Sequence, residues 1–247
     1  MLRNFKLVIE YDGTAWHGWQ RQPNGRTIQE AIETALATMT RQAVAIIGSG
    51  RTDAGVHALG QTANFTCDTA ITPQAFHKGL NSLLPPDIVI RECSEVPLAF
   101  HARYDVRAKI YRYTIRNHPL PAAIGRHYAW WLRAPLDVTA MAVAAAHLVG
   151  EKDFKAFEGT GSPRAHTVRH VTRAEVRRVD GDHLHFEIEA NGFLRYMVRN
   201  LTGTLVAIGM GQMPPDDILS ILHSHDRRKA APTAPPQGLC LVRVIYY

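Results

Sequence analysis

The stretch Gly48-Ser49-Gly50-Arg51-Thr52-Asp53-Ala54-Gly55-Val56-His57-Ala58-Leu59-Gly60 is the part of this 247-residue chain around which the rest can be interpreted. Its four glycines permit positive φ angles and a close backbone approach to a ligand, and its polar side chains exceed what a plain turn requires. Apolar segments flank it, residues 44–47 before it and a run ending at Phe65 after it. We therefore predict a loop between two strands, anchored firmly enough to hold Asp53 for chemistry.

Several roles for Asp53 fit this pattern. The simplest is structural, since an aspartate in a Gly-rich turn commonly caps backbone N–H groups. A phosphate-binding loop is excluded, because the G-x-x-x-x-G-K-[ST] spacing is missing. The G-x-S-x-G elbow is missing too, but Ser49, Asp53 and His57 could approach one another as in a hydrolase, and Asp53 and His57 could share a metal. The remaining hypothesis is that Asp53 acts by itself as a nucleophile or base, held by Arg51 or another cation.

The composition indicates a globular protein with a basic surface. Hydrophobic residues make up 46% of the chain and charged residues 20%, which suits one large core or two small ones. There are 28 Lys and Arg residues against 22 Asp and Glu residues, so the formal net charge is +6. This balance favours a nucleic-acid partner.

Cysteine usage and hydropathy predict a soluble, cytoplasmic protein. Cys67, Cys93 and Cys240 are odd in number, far apart and without metal-ligand spacing. We therefore expect thiols in a reducing compartment, and neither a disulfide framework nor a bound metal. The chain does not open with a signal-peptide pattern and contains no apolar run of 18 residues, so we expect no membrane association.

The first half predicts the element order β-α-β-β-α-β. A strand is indicated where apolar and polar residues alternate up to Tyr11, and Thr27 with Glu30 fits a capping box at the start of a helix. Strands over 44–47 and 61–65 flank the Asp53 loop, and the last strand covers 88–90. The first helix should bury Ile28, Ala31, Ile32, Ala35, Leu36 and Met39. The second, with Pro73 at its first position, should bury Phe76, Leu80, Leu83 and Leu84.

The same order returns from about residue 105, with one additional helix. Helices are predicted over 138–149, 194–208 and 218–222, and strands over 107–116, 171–179, 183–190 and 239–246. The helix over 194–208 should bury Leu194, Met197, Val198, Leu201, Leu205 and Ile208. Alternation in the strand over 183–190 should direct its apolar residues inward and turn His183, His185, Glu187 and Glu189 to solvent.

The repeated order predicts an α+β fold of two ferredoxin-like halves, residues 1–104 and 105–247, each with a mainly antiparallel sheet. Sheets joined edge to edge would leave a central cleft along the seam. We expect the Asp53 loop of the first half to face an element of the second half across it. A cleft lined with cations would suit an RNA strand.

Aromatic residues concentrate in two further stretches. Residues 16–22 interleave tryptophans with amides and an arginine, which suits contacts to bases and phosphates, although we expect one of the tryptophans to be a core anchor. Tyr111 and Tyr113 share one face of the strand over 107–116. We expect Tyr113 in the core and Tyr111 as a platform on which a base can stack.

Basic residues cluster on the predicted helix over 194–208 and elsewhere. Arg195, Arg199 and Thr202 would share a flank, and Arg199 adjoins the apolar stripe, so we expect a partly buried cation that pairs with a carboxylate. The run 226–229 fits a solvated loop equally well. The candidate phosphate-binding residues are Arg21, Arg26, Arg164, Arg169, Arg227, Arg228 and Lys229.

Ordered motifs run along nearly the whole chain. The most specific is R-T-D-A-G-V-H at 51–57; residues 119–131 and 159–166 carry none. The others are Tyr11-Asp12-Gly13-Thr14, Gly18-Trp19-Gln20, Phe100-His101-Ala102-Arg103, Lys109-Ile110-Tyr111-Arg112-Tyr113, Asp153-Phe154-Lys155-Ala156-Phe157, Met197-Val198-Arg199-Asn200 and Ala234-Pro235-Pro236-Gln237-Gly238-Leu239. Together these stretches resemble the tRNA pseudouridine synthase A (TruA) family.

The resemblance implies the pseudouridine synthase fold and the isomerisation of uridine to pseudouridine at positions 38, 39 and 40 of the tRNA anticodon stem-loop. It also implies a homodimer without cofactor or metal. Asp53 matches the catalytic aspartate and Tyr111 the tyrosine beside the uracil. Arg199 matches the basic partner of the aspartate, and Arg51 the arginine that helps fill the space left by the flipped base. The alternatives are a non-catalytic RNA-binding module and the hydrolase built on Ser49.

Overall fold

The computed structural model describes residues 1–159, 161 and 166–246, which form two compact units. The first unit comprises Met1–Arg107 with Leu241–Tyr247, and the second comprises Ala108–Cys240. Both combine helices with a mainly antiparallel sheet, which confirms the predicted fold class. The predicted halves, 1–104 and 105–247, differ from these units chiefly in the last strand, most of which belongs to the first unit.

The first unit has the predicted element order. β1 pairs antiparallel with both β3 and β4, and β2 pairs antiparallel with β3, which gives the strand order of a ferredoxin-like motif. The final strand, β10, adjoins β3. The elements are β1 (Leu2–Tyr11), α1 (Ile28–Thr40), β2 (Ile47–Gly48), β3 (His57–Asp68), α2 (Pro73–Leu83), β4 (Ile88–Val96) and β10 (Leu239–Ile245).

An aromatic cluster forms the core of the first unit. The ring of Phe5 on β1 lies 5.3 Å from Phe65 on β3 and 4.9 Å from Phe76 on α2, measured between centroids. All three side chains are buried, and each contributes about 1.5–3 kcal/mol by leaving water. Helix α1 packs here through the predicted stripe, of which Ile28, Ile32, Ala35 and Leu36 are buried.

Two helix predictions in this unit are wrong. Thr27 is the N-cap of α1, but its side chain caps no backbone N–H, and its buried hydroxyl has no hydrogen-bond partner within the described chain, so the capping box with Glu30 is absent. Leu83 is 47% exposed, because the buried stripe of α2 passes through Leu80 and Leu84 instead.

The strand predicted over 44–47 is reduced to β2. Ile46 is buried but lies outside the strand, and its N–H donates to Oε1 of Glu33 at 3.0 Å. Glu33 on α1 is itself buried. A side-chain acceptor thus takes the N–H that a neighbouring strand would otherwise have bound.

The second unit adds two short strands to the predicted elements. β9 lies between β5 and β8 and is antiparallel to both, β7 pairs with β8, and β6 runs parallel to β5. β6 and β7 were not predicted, since three or four residues show too little alternation. The elements are β5 (Ala108–Asn117), β6 (Trp130–Leu132), α3 (Val138–Ala146), β7 (Gly150–Asp153), β8 (Val168–Arg178), β9 (His183–Ala190), α4 (Met197–Gly209) and α5 (Asp217–Ser224).

Helix α4 forms the core of this unit. Every residue of the helix except Arg199 is buried, and the six residues predicted for its buried side are all inside. The helix begins at Met197 and not at Leu194, because Tyr196 before it has a φ angle of +60°, which lies outside helical geometry.

The prediction that Glu187 on β9 faces solvent is wrong. The residue is 7% exposed and lies 2.7 Å from the guanidinium of Arg112 and 3.4 Å from that of Arg173. Burial by itself would raise the pKa of Glu187, but the hydrogen bond and charge of Arg112, with that of Arg173, hold it below its usual value. Cross-strand ion pairing therefore allows this carboxylate to be buried.

Replacing Thr27 by valine tests its unpaired hydroxyl. We expect Thr27→Val to leave the free energy of unfolding unchanged or to raise it by up to about 1 kcal/mol, because a buried, unsatisfied hydroxyl is removed while the shape is kept. Thr72 is the matched control, since its hydroxyl accepts from Ala75 N at 3.2 Å, and Thr72→Val should cost about 1 kcal/mol. Urea denaturation measures both. Equal losses at the two positions would show that Thr27 does cap α1.

Candidate active site

The Asp53 loop, residues 49–56, connects β2 to β3, as predicted. Ser49 N donates to Thr62 O at 2.7 Å, and Val56 N donates to Asp53 O at 3.2 Å, which closes a turn. Gly55 in this turn has a φ angle of +77°, a conformation that favours glycine. Asp53 is half-buried and Arg51 is exposed, so the carboxylate stands on a tightly turned backbone at the surface of the unit.

Residues 11–19 brace the Asp53 loop. The hydroxyl groups of Tyr11 and Thr52 are 2.8 Å apart and buried. Trp19 N donates to Thr52 O at 3.1 Å, and Gly55 N donates to Trp16 O at 3.3 Å. The backbone is thus held on both sides of Asp53 by a second segment of the same unit.

Two glycines allow these segments to touch. A Cβ atom on Gly13 would lie 2.1 Å from Val56 O, and one on Gly18 would lie 2.5 Å from Thr52 O. Gly18 also has a φ angle of +88°. Neither position has room for a side chain, so the backbone of the Asp53 loop lies directly on that of residues 13–18.

Both tryptophans of the 16–22 stretch are core anchors. Trp16 is 4% exposed and Trp19 is 2% exposed. The indole N–H of Trp16 donates to Asp87 at 2.9 Å, and the guanidinium of Arg26 lies 4.6 Å from its ring. The structural interpretation expected for one of them therefore applies to both.

Gln20 in the same stretch orients Arg51. Its Oε1 accepts a hydrogen bond from Arg51 Nε at 3.0 Å, while the guanidinium remains exposed. An exposed, oriented cation two residues from a half-buried carboxylate suits a nucleotide substrate. Sequence reasoning missed this role of Gln20, although Gln20 lies in one of the family's motifs.

The hydrolase arrangement is not supported. The buried hydroxyl of Ser49 donates to Gln61 Oε1 at 2.6 Å, so its one proton is directed to an amide and not to a base. Nδ1 of His57 accepts from Gly13 N at 3.0 Å, which gives the ring a structural role. The residues that the structure describes contain no group of three or more His, Cys, Asp or Glu side chains that could hold a metal ion.

Tyr113 of β5 lies in the core, as predicted, and Tyr111, which was predicted as a stacking platform, is buried as well. Tyr113 is fully buried, its hydroxyl donates to Pro235 O at 2.6 Å, and burial raises its pKa far above the usual value. Tyr111 is 7% exposed, and the edge of one ring meets the face of the other between Tyr111 and Phe193, with centroids 5.0 Å apart. This contact fixes the orientation of the Tyr111 ring.

Arg199 is half-buried on α4, as predicted. Its Nε donates to Ala234 O at 2.8 Å, and Ala234 N donates back to Arg199 O at 3.1 Å. Its guanidinium also lies 4.9 Å from the ring of Tyr196. The prediction that Arg199 shares a helix flank with Arg195 and Thr202 is wrong, however. Arg195 precedes the helix, and Thr202 is fully buried with its hydroxyl bonded to the backbone.

The candidate phosphate-binding residues have different surroundings. Arg227 is half-buried and donates to Asn200 and Thr233, which indicates a structural role. Arg228 binds both carboxylate oxygens of Asp226 and, through these hydrogen bonds and its charge, lowers the pKa of Asp226 to about 2. Arg164 lies outside the described residues. The exposed members of the set are Arg21, Arg26, Arg228 and Lys229.

The chain is similar to tRNA-modifying enzymes over its whole length. The model of a family described as tRNA pseudouridine synthase matches residues 7–105 and 144–247. Proteins named tRNA pseudouridine synthase A are 49% identical in Geobacter sp., over 99% of both chains, and 49% identical in Geotalea daltonii, over 99% of this chain and 100% of the relative. A solved archaeal box H/ACA sRNP Nop10–Cbf5 complex matches at 10% identity with a TM-score of 0.37, covering 82% of this chain and 44% of that one.

Gly18→Ala tests how strongly the close backbone contact holds the Asp53 loop. Gly211 is the matched control, since its φ angle is +72° but nothing lies within 4 Å of a Cβ atom placed there. We expect Gly211→Ala to cost about 1 kcal/mol from backbone strain alone and Gly18→Ala about 2–4 kcal/mol, because overpacking adds to the strain. Urea denaturation of both variants measures the difference. Equal losses would mean that the contact at Gly18 relaxes without cost.

Proposed function

The chain belongs to the tRNA pseudouridine synthase family, and from this premise we propose that it isomerises uridine to pseudouridine in tRNA. We further propose positions 38, 39 and 40 of the anticodon stem-loop as its targets and Asp53 as the catalytic carboxylate. The observation that supports this most directly is the Asp53 loop itself: the R-T-D-A-G-V-H motif holds a half-exposed carboxylate on a backbone that a second segment fixes from both sides.

The reaction breaks the bond between N1 of uracil and C1′ of the ribose, turns the base, and joins C5 to C1′. The proton on C5 is then lost, and N1 gains a proton, so the product is an isomer of the substrate. A carboxylate can assist by attacking C1′ or C6, or by removing the 2′ proton. Each of these routes needs one carboxylate in a fixed position. The bracing of the Asp53 loop supports this requirement, because a group already held in place reacts without first losing conformational freedom.

The target base must leave the helix before C5 can reach the ribose, and extrusion costs a few kcal/mol. We propose that Arg51 offsets part of this cost by occupying the space that the base leaves. The exposed guanidinium, oriented by Gln20, supports this role, because a planar cation can stack on bases and bind phosphate.

Two residues of the second unit complete the proposed assignment. We propose that Tyr111 lies beside the uracil ring and that Arg199 is the basic partner of the Asp53 carboxylate. The support for Tyr111 is the edge-to-face contact that fixes its ring against Phe193. The support for Arg199 is that Ala234 and Tyr196 hold its guanidinium.

We also propose a cytoplasmic homodimer. The family resemblance supports the dimer, and the three cysteines, which are present as thiols, are typical of a reducing compartment. None of the helices in the described ranges combines the length and the hydropathy needed to cross a membrane.

Asp53→Asn separates catalysis from RNA binding. We expect the variant to bind unmodified tRNA but to form no detectable pseudouridine, because an amide cannot act as nucleophile or base. Pseudouridine mapping and filter binding with the purified protein measure the two properties. Ser49→Ala and added EDTA serve as controls that should leave activity in place. Asp53→Asn with wild-type activity would instead favour a role for the loop in RNA binding alone.

Tyr111 variants test whether the ring or the hydroxyl matters. If the ring supports the uracil, Tyr111→Phe should keep its rate within about threefold, whereas Tyr111→Ala should lose about 10- to 100-fold, since base stacking contributes about 1–3 kcal/mol. Single-turnover pseudouridine formation measures both rates. Tyr113→Phe is the control, because its hydroxyl bonds the Pro235 backbone and its loss should lower stability more than rate. A rate for Tyr111→Phe as low as that of Tyr111→Ala would assign the hydroxyl to proton transfer.

A further inference from the structure

A pocket of about 450 Å³, lined by charged residues and glycines, lies wholly within the second unit. Its size falls in the range of pockets that bind small organic ligands. It has no part in the proposed chemistry of Asp53, Arg51, Tyr111 and Arg199. The lining residues are Lys155, Glu158, Gly159, Gly161, His225, Asp226 and Arg227.

Among the residues that the structure describes, Glu158 is the residue of this pocket with an unsatisfied hydrogen-bond acceptor. The residue is 5% exposed. Its Oε2 accepts from Lys155 Nζ at 2.6 Å, but its Oε1 is buried and has no hydrogen-bond partner in the described part of the chain. A buried acceptor without a donor costs about 1–3 kcal/mol, and more when it is charged. The missing partner is therefore an N–H or O–H donor, which a bound ligand can supply.

The carboxylate of Glu158 is held where it is. It follows a short 3-10 helix, Lys155–Phe157, anchored by Phe157, which is fully buried. Glu158 N donates to Lys155 O at 3.1 Å, and Gly159 N donates to Arg195 O at 2.8 Å. These bonds fix the backbone on both sides of Glu158, and the bond from Lys155 restrains the carboxylate itself.

The other charges of the pocket are already engaged. Asp226 is bound at both oxygens by Arg228, and the guanidinium of Arg227 donates to Asn200, Thr233 and the Ala230 carbonyl. Lys155 is different, because its side chain is 40% exposed and its ammonium has three donors, of which Glu158 takes one. The pocket thus offers a buried acceptor and, nearer to solvent, a cation.

A nucleotide has the matching polarity. Its phosphate is anionic and prefers the exposed cation, whereas its flat base is the part that can enter a buried site. The exocyclic amino group of cytosine, adenine or guanine then supplies the donor, as when Glu accepts from cytosine N4. Gly159 and Gly161 add no side chains to the pocket wall.

The pocket is also connected to Arg199. A Cβ atom on Gly159 would lie 2.4 Å from the ring of Tyr196, and the same ring carries the Arg199 guanidinium at 4.9 Å. The amide of Asn200, the next residue on α4, donates to Phe157 O at 2.8 Å. A nucleotide in the pocket would therefore lie beside the element that carries Arg199.

We propose that this pocket binds one nucleotide of the RNA substrate, with an exocyclic base amino group donating to Glu158 Oε1 and the phosphate near Lys155. The choice of RNA as the source rests on the proposed function. The match between a nucleotide and the pocket does not rest on the proposed function, because a free mononucleotide offers the same groups.

Titration of the wild-type protein with CMP and UMP tests the base contact without any substitution. The two differ at C4, where CMP carries an amino group and UMP a carbonyl that would face the carboxylate oxygen. We expect CMP to bind at least about tenfold more tightly than UMP, the value of one hydrogen bond to a charged group, and more tightly than inorganic phosphate. Calorimetry or NMR shifts measure the affinities. Equal affinities for CMP and UMP, or no binding of either, would overturn the proposal.

Glu158→Gln tests this residue, because the proposal predicts a change in the preference between CMP and UMP. Lys155 would attract the amide oxygen and turn the amide NH₂ towards the pocket, so the preference should invert from CMP to UMP. Affinity for tRNA should fall about tenfold, although removing a negative charge would by itself strengthen binding to a polyanion. Glu151→Gln, at an exposed glutamate of β7, is the charge-matched control and should not weaken tRNA binding. Tighter tRNA binding by both variants would overturn the proposal.

A competition experiment distinguishes the source of the nucleotide. If the pocket holds a nucleotide of RNA, tRNA displaces CMP from the wild-type protein; CMP that stays bound when tRNA saturates the protein would overturn the RNA source. Pseudouridine formation, assayed on the same preparation, separates the two hypotheses. Glu158-dependent CMP binding without any pseudouridine formation would refute the proposed function and leave the nucleotide pocket standing.

Discussion

The close contact between two backbone segments of the first unit is the constraint on which the Asp53 loop depends. Gly13 and Gly18 come so near to Val56 and Thr52 that no side chain fits between the segments. Packing at this density leaves a segment few alternative positions, and the buried Tyr11–Thr52 hydrogen bond adds a directional restraint. The half-exposed carboxylate of Asp53 is thus carried by a backbone that close packing and hydrogen bonds restrain.

The motifs that identify the family act mainly as scaffold within each unit. In the second unit, Asn200 accepts from Thr233 and donates to Phe157, so it joins three separate stretches of sequence. Arg199 is joined to Ala234 by hydrogen bonds in both directions. Stretches that are far apart in the sequence are thus joined by hydrogen bonds within this unit.

The order of the long elements and the position of the Asp53 loop could be predicted from the sequence, because they depend on local alternation, helical periodicity and glycine spacing. The wrong predictions depend on tertiary contacts. Glu33 takes a backbone N–H and shortens a strand, and Glu187 is buried because two arginines lie beside it. The orienting role of Gln20 and the pocket at Glu158 carry no periodic signal at all, since each arises where separate segments meet.

Tyr196 shows how the fold orients two cations of the second unit, Arg195 and Arg199. Its φ angle of +60° costs about 1–2 kcal/mol for a residue with a Cβ atom. The ring that this angle positions lies 4.7 Å from the guanidinium of Arg195 and 4.9 Å from that of Arg199, and such contacts contribute about 0.5–1 kcal/mol each at exposed sites. The strain is thus offset by contacts that orient Arg199. Under the proposed function, an orientation that the fold already sets would leave the binding energy of the RNA available for extruding the base.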